Sequence, residues 1–271
     1  VDPAAGFVSI FLCGGESMRK VINIICDILL VVCILIGGWY GYRIYSGVKD
    51  AKKEQAVVDN IANQIADANA SDETATDDRF SHAAWDTLYE RNNDLVAYMA
   101  FDSGLFAYPV VQHSDNDYWL RRNYDGDYSI EGTPFMEAND TLSDQNVTFY
   151  GHNVFYDAGA MFSPLQTLND QETYEKNSTI TVWTKDEKRQ YGICYVYYID
   201  VDATPYNYRV ASVPEYAYAE FMEYPNSHNE IKSIYGDIEY GDHWLTLQTC
   251  KKHLSPWRII VVAKLLSTEP Y

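Results

Sequence analysis

Three residue types able to carry acyl-transfer chemistry stand at the ends of apolar, β-branched runs in this 271-residue sequence. Cys250 closes HWLTLQTC, Arg258 lies at the start of WRIIVVAKLL one short polar turn later, and His152 follows Gly151 in VTFYGHN. A thiolate attacks a carbonyl carbon, an imidazolium protonates a leaving amine, and a guanidinium holds substrate or a developing oxyanion. Taken alone, a cysteine is more often a buried structural thiol. The setting TLQTC, with GHN and an arginine at other strand ends, favours a nucleophile instead. Cys194, mid-strand in YGICYVYY, keeps the structural reading. His253 is the histidine nearest the thiol in sequence, but a residue three positions on in a turn is poorly oriented for proton transfer, so His152 is preferred and His253 ranks second. Arg258, beside Trp257, reads as substrate-facing rather than as a solvated surface charge. Within residues 246–249 only Gln248 is assigned as a candidate substrate contact, because alternation along a strand sends about half of such residues into a core.

The elements that must position these side chains are mostly strands. LVAYMAF, YPVVQ, YWLRRN, VTFYGHN, STITVWT, YGICYVYYIDV, HWLTLQTC and WRIIVVAKLL are rich in β-branched and aromatic residues and are separated by Gly, Asn, Asp and Pro turn signals. FSHAAWDTLYERN reads as a helix with Trp85, Leu88 and Tyr89 on one face. A second helix is expected in VPEYAYAEFMEYPNSHNEIKS, carried by Tyr216, Ala219, Phe221 and Met222. Closing about eight strands on themselves removes exposed edges, so the expected fold is mainly β: a closed barrel with peripheral helices.

Upstream, residues 21–42 read VINIICDILLVVCILIGGWYGY, which matches the roughly 20 residues a helix needs to cross a bilayer. Trp39, Tyr40 and Tyr42 form an interfacial belt and no small-residue cleavage site follows, so the segment reads as a retained anchor rather than a signal peptide. Basic residues flank it on both sides and leave its orientation open. Residues 1–20 form an N-terminal segment, read as cytoplasmic or partly non-native, with a natural start at Met18. Residues 43–79 read as a linker in which Val57, Ile61 and Ile65 mark a short helix before a flexible acidic tether, and residues 80–271 as the catalytic domain.

With 39 acidic residues against 20 basic ones, the net charge of -19 argues against a nucleic-acid partner. The five cysteines lack zinc-ligand or disulfide-framework spacing, and no metal or other cofactor is expected.

From about residue 92 to 264 the chain resembles a class B sortase. The resemblance is carried by YPVVQ, DNDYWL, YGHN with AMF, and TLQTC followed by an Arg and IIVVAK, in that order, and by the inserted helix before the last strands. It implies a sortase β-barrel with His152, Cys250 and Arg258 as the catalytic residues. It also implies cleavage after Thr in a C-terminal sorting signal through a thioester, resolved by an amine of peptidoglycan or of another protein subunit. The partners implied are surface proteins bearing the signal, an acceptor amine from peptidoglycan or a pilin lysine, and membrane lipid. The implied location is the membrane of a Gram-positive cell, single-pass, with the catalytic domain outside. Two positions depart from the pattern: Gln248 stands where the family commonly has Ser, and Lys252 where it often has an acidic residue. Two alternatives stand beside this reading, a pilus-subunit polymerase of the same family and a non-catalytic, membrane-anchored module with a Tyr-rich binding face.

Overall fold

The structure, a computed structural model, describes residues 4–73, 79–154, 159–250 and 256–270. They divide into two compact units, residues 1–52 and 53–271. Helix α1 (Ala4–Ser71) begins in the first and ends in the second. From Met18 onward it is long and apolar enough to cross a membrane, and its most apolar stretch is not buried.

The second unit is a closed barrel of β1 (Leu95–Phe101), β2 (Ala107–Val111), β3 (Phe135–Met136), β4 (Asn146–Tyr150), β5 (Thr179–Trp183), β6 (Glu187–Asp200), β7 (Trp244–Cys250) and β8 (Trp257–Pro270). Around the barrel the order is β1-β2-β3-β4-β7-β8-β6-β5, and β1 pairs with β5 to close it. The pairs β2/β3 and β4/β7 are parallel and the others antiparallel. Helix α2 (His82–Arg91) precedes β1, α3 (Gln171–Lys176) lies between β4 and β5, and α4 (Glu215–His228) between β6 and β7.

Alternation along the strands sorts residues into two cores. Leu245 and Leu247 of β7 with Ile259, Val261 and Ala263 of β8 join one cluster together with Val147 and Phe149 of β4. The opposite faces contribute Trp244, Ile260 and Val262 to a second cluster, completed by Met222 of α4 and by Tyr208 and Val213. Because both faces are covered, IIVVA is a continuous apolar run instead of an alternating one. In β6 a register irregularity between Ile193 and Tyr195 sends Cys194 and Tyr195 to the same cluster, as an inserted bulge residue does.

Three expectations need correction. YWLRRN is not a strand: Trp119–Arg121 is a 3-10 turn, and the two-residue β3 completes the eight strands. The α4 face is also rephased, since Tyr216 is 92% exposed while Met222 and Pro225 are buried and Tyr218 and Phe221 pack beside them. These four follow i, i+3, i+4, i+7 spacing, the stripe a helix buries. Residues 53–71, assigned to the 43–79 linker, belong to the same unit as the barrel. Ile61, Ile65 and Ala68 of this stretch are buried with Phe80, Trp85, Leu88 and Trp183, because an apolar stripe on a helix is stable only when covered. The acidic stretch 74–78 lies outside the described residues.

Between β3 and β4 the Thr148 N–H donates to the Asp140 Oδ2 at 2.8 Å. Burial pushes the Asp140 carboxyl up to about 6, the Thr148 N–H opposes this, and Glu137 and Asp144 add to the rise. An unfolded Asp titrates near about 3.9, so the folded chain holds this proton more tightly and the stabilisation is present below that value and lost as pH rises through about 6. Asp140→Asn is therefore expected to gain stability relative to the parent between about pH 4 and pH 7, read by urea unfolding; a gap independent of pH would contradict this.

Candidate active site

β4, β7 and β8 lie side by side, and their registers bring distant parts of the chain together. Tyr150 is the partner of Gln248, and Cys250 is the partner of Arg258. Directly opposed residues of an antiparallel pair hold their Cβ atoms about 5 Å apart on one face. Cys250 and Arg258 occupy the face shared with Gln248 and Ile260, and both are half-buried. Past the end of β4 the Gly151 N–H donates to the Gln248 carbonyl at 3.2 Å, which extends the ladder and carries His152 alongside the end of β7. The Asn153 side-chain amide then donates to the Cys250 carbonyl at 2.8 Å, and the Gln166 amide donates to the same oxygen at 3.0 Å.

The imidazole is oriented from a segment that the sequence reading had as a strand. His152 Nε2 lies 2.9 Å from the Leu120 carbonyl, in the 3-10 turn. A carbonyl only accepts, so the neutral ring carries its proton on Nε2 and leaves Nδ1 as the acceptor nitrogen. The His152 carbonyl accepts from the Phe162 N–H at 3.0 Å. A Cβ on Gly151 would sit 2.4 Å from the Phe162 ring, so the turn that presents His152 exists only because residue 151 lacks a side chain.

Gln248 is half-buried beside this group, and its side-chain oxygen accepts a short hydrogen bond from the Tyr208 hydroxyl. Burial pushes the Tyr208 phenol up to about 12; Arg209 and Arg258 pull it down, while Cys250 and Glu137 push it further up. Tyr208 is therefore within electrostatic reach of both Cys250 and Arg258. One strand over, the Tyr150 hydroxyl donates to Glu137 at 2.6 Å, and the Asn116 amide donates to the other carboxylate oxygen at 2.5 Å. Burial raises the Tyr150 phenol above its ordinary range, and the Glu137 carboxylate adds to that.

Cys194 is buried, and burial pushes its thiol up, which disfavours the thiolate a nucleophile needs. His253 and Lys252 lie outside the described residues. Among the described residues no group of three or more His, Cys, Asp and Glu side chains is arranged to hold a metal ion. Sequence reasoning missed Tyr208, Asn153 and Gln166 as neighbours of the site. Asn153 was inside the quoted GHN string, whereas Gln166 and Tyr208 reach it only through the chain's return and carry no local signal.

Residues 104–266 match the Sortase domain family model. The Sortase B of Staphylococcus aureus (strain NCTC 8325 / PS 47) is 26% identical over 257 residues, which is 93% of this chain and 99% of that relative. The Sortase B of Listeria monocytogenes serovar 1/2a is 25% identical over 86% of this chain and 92% of its own length. Among solved structures, a Staphylococcus aureus sortase B–substrate complex superposes with a TM-score of 0.70 at 23% identity, over 81% of this chain and 99% of that one. Clostridium perfringens sortase B gives 0.62 at 25% identity, over 68% and 100%.

Gly151→Ala is expected to lower stability by roughly 1–3 kcal/mol in urea unfolding, since the added methyl must displace the Phe162 ring. A variant as stable as the parent would show that the ring moves aside without cost.

Proposed function

The chain belongs to the sortase family, with class B members as its relatives, and we propose that Cys250, His152 and Arg258 carry its cysteine transpeptidase reaction. Family membership sets aside the non-catalytic binding module. The single observation that supports these roles is the register: Cys250 and Arg258 are cross-strand partners, and the turn after β4 runs beside them. Cys250 Sγ attacks the carbonyl carbon of the scissile peptide bond in a C-terminal sorting signal, after Thr. Arg258 holds the carbonyl oxygen as its charge develops, and His152 protonates the departing amine. The thioester is then resolved by an amine of peptidoglycan, which takes the acyl group as a new amide while Cys250 leaves as a thiol. Gln248, set by Tyr208, lines the wall beside the nucleophile and contacts the peptide.

The apolar part of α1, residues 21–42, anchors the enzyme in the membrane, with residues 80–271 outside the cell.

In detergent micelles the full chain should release the C-terminal fragment from members of a pentapeptide signal library, read by mass spectrometry. Cys250→Ala should abolish this release, and full activity in that variant would reject the assignment. Arg258→Lys should leave KM within about threefold but lower kcat by about a hundredfold or more, because a point charge does not reproduce the planar donor fork. A kcat unchanged by that substitution would remove Arg258 from the reaction.

A further inference from the structure

The 3-10 turn Trp119–Arg121 is clamped by residues 129–133. The Trp119 carbonyl accepts from the Thr133 N–H at 3.1 Å, the Arg121 carbonyl from the Ser129 N–H at 3.0 Å, and the Arg122 carbonyl from the Thr133 hydroxyl at 3.0 Å. The Arg121 guanidinium returns a bond to the Ile130 carbonyl at 2.7 Å. Within this series the Leu120 carbonyl goes instead to His152, whose Nε2 lies 2.9 Å away. The direction of that carbonyl is therefore set by the loop 129–133 as well as by the turn itself.

The loop closes on the turn through Gly132. Ser129 Oγ accepts from the Glu131 and Gly132 N–H groups at 3.1 and 3.2 Å, and Gly132 is buried at φ +65°. A Cβ at this position would lie 2.7 Å from the Trp119 oxygen and 2.8 Å from the Leu120 oxygen. Both are backbone atoms, which do not swing aside as the end of a side chain does, so a methyl group here has to push the turn and its Leu120 carbonyl away. The barrel brings the two segments to one place. Phe135 is opposite Tyr150 across antiparallel β3/β4, so the chain just before Phe135 and the chain just after Tyr150 leave the barrel at the same end.

We infer that Gly132 is a positioning residue for the transfer reaction: its missing side chain lets the Leu120 carbonyl reach His152, which holds a ring proton on Nε2 and reserves Nδ1 for the proton that moves. The inference rests on the transpeptidase reading above. As the bond from the Cys250 thiolate to the carbonyl carbon forms and the C–N bond breaks, the imidazolium gives its Nδ1 proton to the departing amine. The ring returns to the neutral form protonated on Nε2, still bonded to Leu120.

Gly126 provides the matched control. At φ +82° alanine meets the same kind of backbone strain there, but no atom lies within 4 Å of its Cβ. With the full chain in micelles and a sorting-signal peptide, Gly132→Ala should lower kcat for release of the first fragment by about tenfold or more, with KM within about threefold. Gly126→Ala should leave both within about twofold. A second readout is the nitrogen NMR spectrum of isotope-labelled histidine near pH 8.5, about two units above an unperturbed imidazole. His152 is assigned there by its loss in His152→Gln. The parent and Gly126→Ala should show Nε2 protonated and Nδ1 bare, and Gly132→Ala a mixture of the two tautomers. The inference is overturned if Gly132→Ala turns over as Gly126→Ala does, or if its tautomer populations match the parent's. A parent ring protonated on Nδ1 also overturns it, whether or not Gly132→Ala folds. A parent that releases no fragment would instead defeat the transpeptidase reading, and the spectra would still decide whether Gly132 sets the imidazole.

Discussion

The parallel pairing of β4 with β7 is the constraint on which the candidate site depends. Antiparallel neighbours such as β7 and β8 are close in the chain, but β4 and β7 are separated by about a hundred residues, and only tertiary folding aligns them. The register is specific because a shift of one residue would turn Val147, Phe149, Leu245 and Leu247 out of the barrel core. Core packing therefore sets the position of the turn that bears His152 relative to Cys250.

Around that ladder the polar groups are held by partners from elsewhere. The Cys250 carbonyl receives amides from Asn153 and Gln166, the 3-10 turn supplies the Leu120 carbonyl to His152, and Tyr208 meets Gln248 from the segment before α4. That segment is itself clasped by Asn146, a fully buried side chain whose amide donates to the Tyr208 and Val210 carbonyls and whose oxygen accepts from Thr246. A buried amide with its hydrogen bonds met fixes geometry, since breaking any of them leaves an unsatisfied group. The position of Tyr208 at the site is thus secured from β4, which leads into the turn bearing His152, and from β7, which ends at Cys250.

The second apolar cluster has a related effect on where chemistry is possible. α4 and the stretch before it cover the outer faces of β6, β7 and β8, so Ile260 and Val262 are buried on a face that would otherwise be wet. Only at the strand ends does this cover stop, and there Cys250 and Arg258 are half-buried while Trp257 is exposed. A thiol in that position is neither sealed off, as Cys194 is, nor fully solvated.

Seven of the strands, the apolar helix and the pairing of Cys250 with Arg258 were legible in the chain itself, because β-branched runs, turn residues and a short connection act locally. YWLRRN was misread because Trp119 and Leu120 look like strand residues, while the turn owes its form to Asp115, whose carboxylate caps the Asp117 and Tyr118 N–H groups. The buried stripe of α4 was misphased because a helix rich in tyrosine has several apolar faces, and the barrel selects one. The stretch 53–71 showed its helical spacing but not its destination, since burial needs a surface that forms from other residues. Residue types and local spacing determined which chemistry the chain can attempt; the long-range ladder between β4 and β7, a product of packing rather than of local preference, decided which side chains meet to attempt it.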